Sequence, residues 1–191
     1  MYAMRFLKGF FEAPNRVGSI VPSSRELASV VVQSAKVPEA RTVVEFGPGT
    51  GAITERLLDV LHPEAKLIAM EINPDFVEVL KKRFPALMVF NDSAAKTPEY
   101  LSKVGETCCD SIVSGLPWTV FSDELQDELL DAAVASLRPG GTFATYTYIH
   151  SPAIPSGKKF RHKLTERFSR TGETNIVWKN VPPAIVLWAE K

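Results

Sequence analysis

What the sequence has little of narrows its reading first. Its 191 residues hold two cysteines and three histidines. Cys108 and Cys109 are adjacent, which suits buried reduced thiols at the start of a strand and not a disulfide framework. Scattered histidines and one thiol pair lack ligand spacing, so no metal site is expected. No run of 18 apolar residues occurs, which argues against a spanning helix. The apolar start, Met1 to Phe11, is broken by Arg5 and Lys8 and is followed by no small-residue cleavage site. A cytoplasmic chain without a signal peptide is the expectation. Net charge is also missing, with 22 basic and 22 acidic side chains, so the basic balance of a nucleic-acid binder is absent. No internal repeat, linker or nucleophile elbow is present. Length and a 45% hydrophobic content predict one domain over 1–191, an N-terminal helical cap (1–36) on a core (37–191).

The neutral total conceals an uneven distribution. Residues 1–36 carry five basic and two acidic side chains, residues 37–155 nine and seventeen, and residues 156–170 six and one. A basic tract therefore lies near each end of an acidic middle. Residues 2–13 place Phe6, Leu7, Phe10 and Phe11 at helical spacing, suiting either a cap on the domain or a helix that dips into a membrane interface. Phe160, Leu164 and Phe168 recur every four residues among Lys158, Lys159, Arg161, Lys163 and Arg167. That pattern suits a basic amphipathic helix on an anionic leaflet, or a solvated or RNA-facing one.

Between these tracts the chain alternates strands and helices. Ser23 with Glu26 forms a capping box for a helix to about Lys36. Strands are expected at about 41–46, 67–72, 87–90, 110–114, 142–150, 174–179 and 184–190. Helices follow the first four, including one capped by Ser122 that runs to Leu137. Such alternation predicts an α/β fold with a parallel sheet. The first strand runs into Glu45-Phe46-Gly47-Pro48-Gly49-Thr50-Gly51, a glycine turn that opens a helix and lets a ligand press on bare backbone. Gly47-x-Gly49-x-x-Ala52 fits the dinucleotide fingerprint loosely. Pro48, however, removes an N–H that a pyrophosphate would use, and Glu45 would repel one. A carboxylate there suits the cationic methionine end of S-adenosylmethionine (SAM). Glu71, ending the second strand, is spaced to accept both ribose hydroxyls. Tyr146, Tyr148 and His150 share one face of the fifth strand, as head-group contacts or as packing.

Glu45 to Gly51, Glu71, Asp92 and Ser114-Gly115-Leu116-Pro117-Trp118 together resemble class I SAM-dependent methyltransferases. Gly18-Ser19-Ile20-Val21-Pro22-Ser23-Ser24, Ser114-Gly115-Leu116-Pro117 and Asn180-Val181-Pro182-Pro183-Ala184 narrow the likeness to bacterial phospholipid N-methyltransferases, relatives of the ribosomal RNA adenine dimethyltransferases. The resemblance implies a Rossmann-like seven-stranded sheet of order 3-2-1-4-5-7-6, strand 7 antiparallel, with helices on both faces and an extra N-terminal helix. It implies SAM as cofactor, S-adenosylhomocysteine as product, and cofactor contacts at Ser19, Glu45, Gly47, Gly49, Thr50, Gly51, Glu71, Ile72, Asp92, Ser93 and Ser114. Asp92 would hold the adenine amino group.

Catalytic positions carried over, or read from the fifth strand, are Ser114, Gly115, Leu116, Trp118, Tyr148 and His150. The Gly115 and Leu116 carbonyls would orient an amine, and Trp118 would offer it a π face. The reaction implied is methylation of phosphatidylethanolamine towards phosphatidylcholine at the inner membrane face, the protein attached peripherally through residues 2–13 and 156–170. No nucleic acid and no obligate protein partner is expected. The RNA branch carries an Asn where Ser114 stands and a Tyr where Trp118 stands. Transfer to an RNA base or a soluble amine, and a non-catalytic SAM-binding membrane adaptor, are the alternatives.

Overall fold

The structure, a computed structural model, describes residues 23–149, 151 and 154–191. The expected helix over 2–13, the 18–22 motif with Ser19, and His150 lie outside the described residues. Seven strands form one sheet in the order β3-β2-β1-β4-β5-β7-β6. They are β1 (Thr42–Phe46), β2 (Lys66–Met70), β3 (Met88–Phe90), β4 (Cys109–Ser114), β5 (Leu137–Tyr148), β6 (Arg170–Glu173) and β7 (Ala184–Glu190). The first five run parallel, and β7 pairs antiparallel with both β5 and β6. Order and directions are those the resemblance implied.

Both faces of the sheet are covered, which is why β1 is buried at every position. Alternation along the strands sends Val43, Leu67 and Val113 to one side, under α1 (Arg25–Ser34), α2 (Ala52–Val60) and α3 (Pro74–Arg83). It sends Val44, Ile112 and Phe143 to the other, under α4 (Thr97–Lys103), α5 (Asp123–Ser136) and α6 (Pro155–Arg167). α1 is capped by Ser24, not Ser23: the Ser24 hydroxyl accepts the Leu27 N–H at 3.1 Å. Its end is fixed where Ser111 and Thr142 donate to the Ala35 carbonyl at 2.6 and 2.5 Å.

Two further expectations are corrected. The sixth strand is Arg170–Glu173, with only Val177 of the expected 174–179 segment bridged, to Ala184. Gly172 sets this register by lying opposite Trp188, whose indole occupies the space a Cβ would need, 2.4 Å from its ideal position. The glycine is the seat of an aromatic ring.

The second correction concerns α6. Phe160, Leu164 and Phe168 do not face outward; they are 2, 3 and 6% exposed and belong to the core. Phe160 stacks on Trp118 with ring centroids 4.8 Å apart, and Phe168 meets Phe143 at 6.0 Å. The cations lie against carboxylates: Lys159 on Asp123, Lys163 and Arg167 on Asp127, Arg167 also on Asp131, and Arg161 on Glu173. The acidic α5 and the basic α6 are complementary faces of one packed pair, so the apolar edge is not available to a bilayer.

Candidate active site

Register brings the site together. Phe46, Met70, Phe90, Ser114 and Thr145 form one row across the carboxyl ends of five parallel strands. The residue after four of these strands, Gly47, Glu71, Asn91 and Gly115, therefore stands on the rim where such sheets bind ligands, while β5 runs three residues past Thr145 to Tyr148. The ladder continues one step, with Gly47 N–H to Met70 O, Glu71 N–H to Phe90 O and Gly115 N–H to Phe46 O at 2.9, 3.0 and 2.8 Å. Of the expected residues, Glu45, Gly47, Gly49, Gly51, Glu71, Ile72, Asp92, Ser93 and Ser114 to Leu116 gather here. Thr50 sits on the same turn, its carbonyl accepting from Arg83.

Gly47 and Gly49 both have positive φ, 65° and 57°. Open space lies where a Gly49 Cβ would project, whereas a Gly47 Cβ would meet Leu116 at 2.6 Å. Glu71 is 1% exposed and ties this turn to the start of α3. Its carboxylate accepts the Gly49 N–H at 3.0 Å and the Asn73 N–H at 2.8 Å. Burial raises its pKa, and those amide hydrogen bonds oppose the rise. Asn91 holds the loop from the other side, donating to the Glu71 and Ile72 carbonyls at 2.9 and 3.0 Å. Asp92 accepts from the Ser93 N–H, Lys96 and Tyr100 at 2.8, 3.1 and 2.9 Å. Burial pushes its pKa up, but these three donors outweigh it and hold the carboxyl below its usual range.

Glu45 points to the opposite side of the sheet from its neighbour Phe46. It is 1% exposed and accepts the Thr54 hydroxyl at 2.7 Å. Burial lifts its pKa from 4.5 to about 8, the Thr54 hydrogen bond acting against the lift and the charge of Glu71 with it. Tyr146 is beside it, bonded to Ser23 and raised by burial. Tyr148 lies 6.5 Å further on in an edge-to-face pair with Tyr146. The turn after β4 is tied to itself: the Ser114 hydroxyl accepts the Trp118 indole N–H at 3.0 Å and the Leu116 N–H at 3.3 Å. The Leu116 carbonyl in turn accepts the Trp118 N–H at 3.0 Å.

Trp118 departs from its expected role. It is 3% exposed, stacked on Phe160 and edged by Phe121 and Phe143. Its ring packs the base of the turn and does not offer a face to an ammonium.

Thr54, Asn91, Tyr100 and Asn180 escaped the sequence reading. Asn180 belongs to the Asn180-Val181-Pro182-Pro183-Ala184 motif, but no local pattern marks that its amide oxygen accepts the Ser24 N–H at 2.9 Å across 156 residues.

The donor set fits SAM. The glycine turn leaves bare backbone over open space, Glu71 and Asp92 line the cleft beside Ile72 and Leu116, and Glu45 supplies a buried acid behind the turn. Residues 43–141 match the methyltransferase domain family. The chain is 36% identical over 182 residues to an ornithine lipid N-methyltransferase of Singulisphaera acidiphila, covering 94% of this chain and 91% of that one. The chain belongs to the class I SAM-dependent methyltransferases.

Ribosomal RNA small subunit methyltransferase A of a Hydrogenobaculum species is also similar to the enzyme, 35% identical over 102 residues. That match spans 53% of the enzyme and 38% of the relative. Two solved structures share the fold. One is the O-methyltransferase TomG of Streptomyces achromogenes in complex with SAM, with TM-score 0.68, 17% identity, and 97 and 89% of the two chains covered. The other is an O-methyltransferase from Bacillus cereus in complex with S-adenosylhomocysteine, with TM-score 0.69, 13% identity, and 100 and 91% covered. SAM is the enzyme's cofactor. Among the described residues no helix is long and apolar enough to cross a membrane.

Proposed function

We propose that the enzyme methylates the primary amine of a membrane aminolipid, phosphatidylethanolamine or an ornithine lipid, at the membrane surface. The observation that carries this reading is the 36% identity to an ornithine lipid N-methyltransferase, spread over 94% of the chain. The likeness to the RNA enzymes, by contrast, is 30% identity where it reaches 78% of this chain, and it takes in only about half of those relatives' own length. The turn after β4 agrees with the lipid reading. Ser114 spends its hydroxyl on Trp118 and Leu116, and Trp118 is buried, so neither is free to clamp a flipped base.

When bound, SAM supplies an electrophilic methyl group on a sulfonium. The protein's part is to position the amine in line with it and exclude water. The Gly115 carbonyl and the Tyr146 and Tyr148 hydroxyls are the groups on the rim that would orient a nitrogen. Glu71 and Asp92 would hold the ribose and adenine, and Glu45 would face the methionine end.

An amine with a pKa of about 10 is largely protonated at neutral pH. Tyr146 and Tyr148 are held above their ordinary range, so neither is an ionised base there, and a Glu45 carboxylate ionised by bound SAM is paired with the methionine ammonium. The amine therefore sheds its proton to water before it docks, and turnover rises with pH. Expression in a bacterial host that makes phosphatidylethanolamine but no phosphatidylcholine tests the reading. Mass spectrometry of the lipid extract should show mono-, di- or trimethylated head groups. An unchanged lipid profile, with ornithine lipid also supplied and unmodified, would refute it.

A further inference from the structure

Three of the large apolar side chains left at the surface of the described residues are grouped. Val181 and Trp178 are 69 and 67% exposed, the highest values among the described large apolar residues, and Ile176 near them in the chain is 38% exposed. All three lie on the hairpin that joins β6 to β7. A cleft of about 740 Å³ runs beside it, lined by Ile149, Ile176, Trp178 and Ile185, with Arg161 and Glu173 on its polar wall. Single exposed apolar residues need no explanation, but a contiguous group marks a contact surface.

The hairpin is held firmly. Asn180 is 4% exposed, accepts the Ser24 N–H at 2.9 Å and donates to the Pro182 carbonyl at 2.7 Å. Val177 N–H reaches Ala184 O at 2.8 Å, and Lys179 meets Glu26 at 3.2 Å. Its place follows from register. Val177 bridges Ala184, Ala184 pairs with Tyr148, and Tyr148 lies three residues past Thr145, which is level with Ser114. At the rise of a strand the base of the hairpin, Val177 and Ala184, stands about 10 Å beyond Ser114 along the strand direction, at the carboxyl end of the parallel strands, from which a substrate approaches.

We propose that this hairpin is the surface with which the enzyme seats on a lipid bilayer, Trp178 entering the head-group interface and Ile176 and Val181 following it. The inference rests on the aminolipid reading and deepens it. Indole rings favour the interface because one edge is apolar and the other donates a hydrogen bond. Lys179, on the hairpin itself, keeps its side chain 81% exposed while it pairs with Glu26, so its charge meets the solvent as an anionic head-group layer requires. A lipid whose amine reaches the rim keeps its acyl chains in the bilayer, so the surface bordering the rim is the one that must touch it.

Trp178 reports on its own docking. Trp118 is buried and Trp188, in β7, is partly buried, so acrylamide in solution reaches chiefly the Trp178 ring. Vesicles of phosphatidylethanolamine and phosphatidylglycerol should shift its emission to the blue and shield it from acrylamide, and brominated acyl chains should quench it. Trp178→Ser should weaken vesicle flotation about tenfold, the scale of one large apolar side chain withdrawn from the interface. Trp178→Phe should restore most of it, and the thermal midpoint should stay the same. Methyl transfer to vesicle lipid should fall with flotation, while transfer to a detergent-dispersed short-chain aminolipid should not.

Equal loss on both substrates, or flotation unchanged by Trp178→Ser, would overturn the proposal. So would a Trp178 ring already shielded from acrylamide without vesicles, because residues 1–22 or a second copy would then cover it. Vesicle-dependent shielding together with no methyl transfer to any lipid would refute the substrate and still support the seat.

Discussion

Proton release on cofactor binding tests the acid behind the glycine turn. Glu45 is 1% exposed, bonded to Thr54 at 2.7 Å, and its pKa is lifted from 4.5 to about 8 by burial. About one such carboxyl in ten is ionised at pH 7. A methionine ammonium held beside it favours the ionised form, so binding at pH 7 should expel roughly 0.9 proton from this group. Affinity for SAM should rise about tenfold per unit from pH 6 towards 8, each unit being worth about 1.4 kcal/mol. It should then fall as the ammonium, with a pKa of about 8, loses its own charge. Calorimetry in buffers of different ionisation enthalpy counts the proton directly.

Glu45→Gln should abolish the release and flatten the acid limb. The ligand-free enzyme carries the matching stability signature. A carboxyl raised on folding stabilises fully below its unfolded pKa of 4.5 and loses that contribution as pH rises through about 8. The thermal midpoint should therefore decline across that window in the wild type and less so in Glu45→Gln. Binding by the wild type without proton release, with affinity flat from pH 6 to 8, would refute the assignment. It would leave Glu45 as a neutral partner of Thr54.

Other consequences can be measured alongside. Glu71→Ala leaves the Gly49 and Asn73 N–H groups without their acceptor, which should cost about 2–4 kcal/mol in chemical denaturation and abolish SAM binding in calorimetry. A variant that bound SAM normally would remove Glu71 from the ribose site. Gly115→Ala would bring a Cβ to 2.7 Å from the Gly47 carbonyl; because that neighbour is backbone, the glycine turn must move, and SAM affinity should drop at least tenfold while the protein stays folded. Phe160→Ala should cost about 3–5 kcal/mol, as a core ring does, lowering the melting temperature steeply. If it instead weakened vesicle binding with stability intact, the core placement of α6 would be wrong. Turnover on an aminolipid should increase from pH 7 to 9 without a plateau near 7; a plateau there would reveal a protein base.

Legibility in the sequence followed the range of the interactions involved. The parallel core was readable because β1 and β2 are short apolar runs flanked by turn residues, and because Glu45, Glu71 and the glycines sit at strand ends where local pattern is densest. Strand positions were missed where a partner far away decides them. Gly172 looks like a breaker until Trp188 is placed above it. The basic helix shows how periodicity alone misleads: Phe160, Leu164 and Phe168 mark an apolar edge, but not what it meets. Both a bilayer and Trp118 satisfy that edge, and only tertiary packing chooses. Asp123, Asp127 and Asp131 recur at four-residue spacing on α5 and match the cations of α6, a complementarity visible in sequence once the two helices are known to touch. Trp118 was misread for the same reason, since an aromatic after β4 can line a pocket or fill a core.

The most direct test of the account gives the purified enzyme methyl-labelled SAM and three acceptors in parallel. These are vesicles containing phosphatidylethanolamine, vesicles containing ornithine lipid, and small-subunit ribosomal RNA. Label should appear in the chloroform-soluble lipid of at least one vesicle sample, increase with pH, and be absent from the RNA. Label in the RNA with none in either lipid would contradict the account.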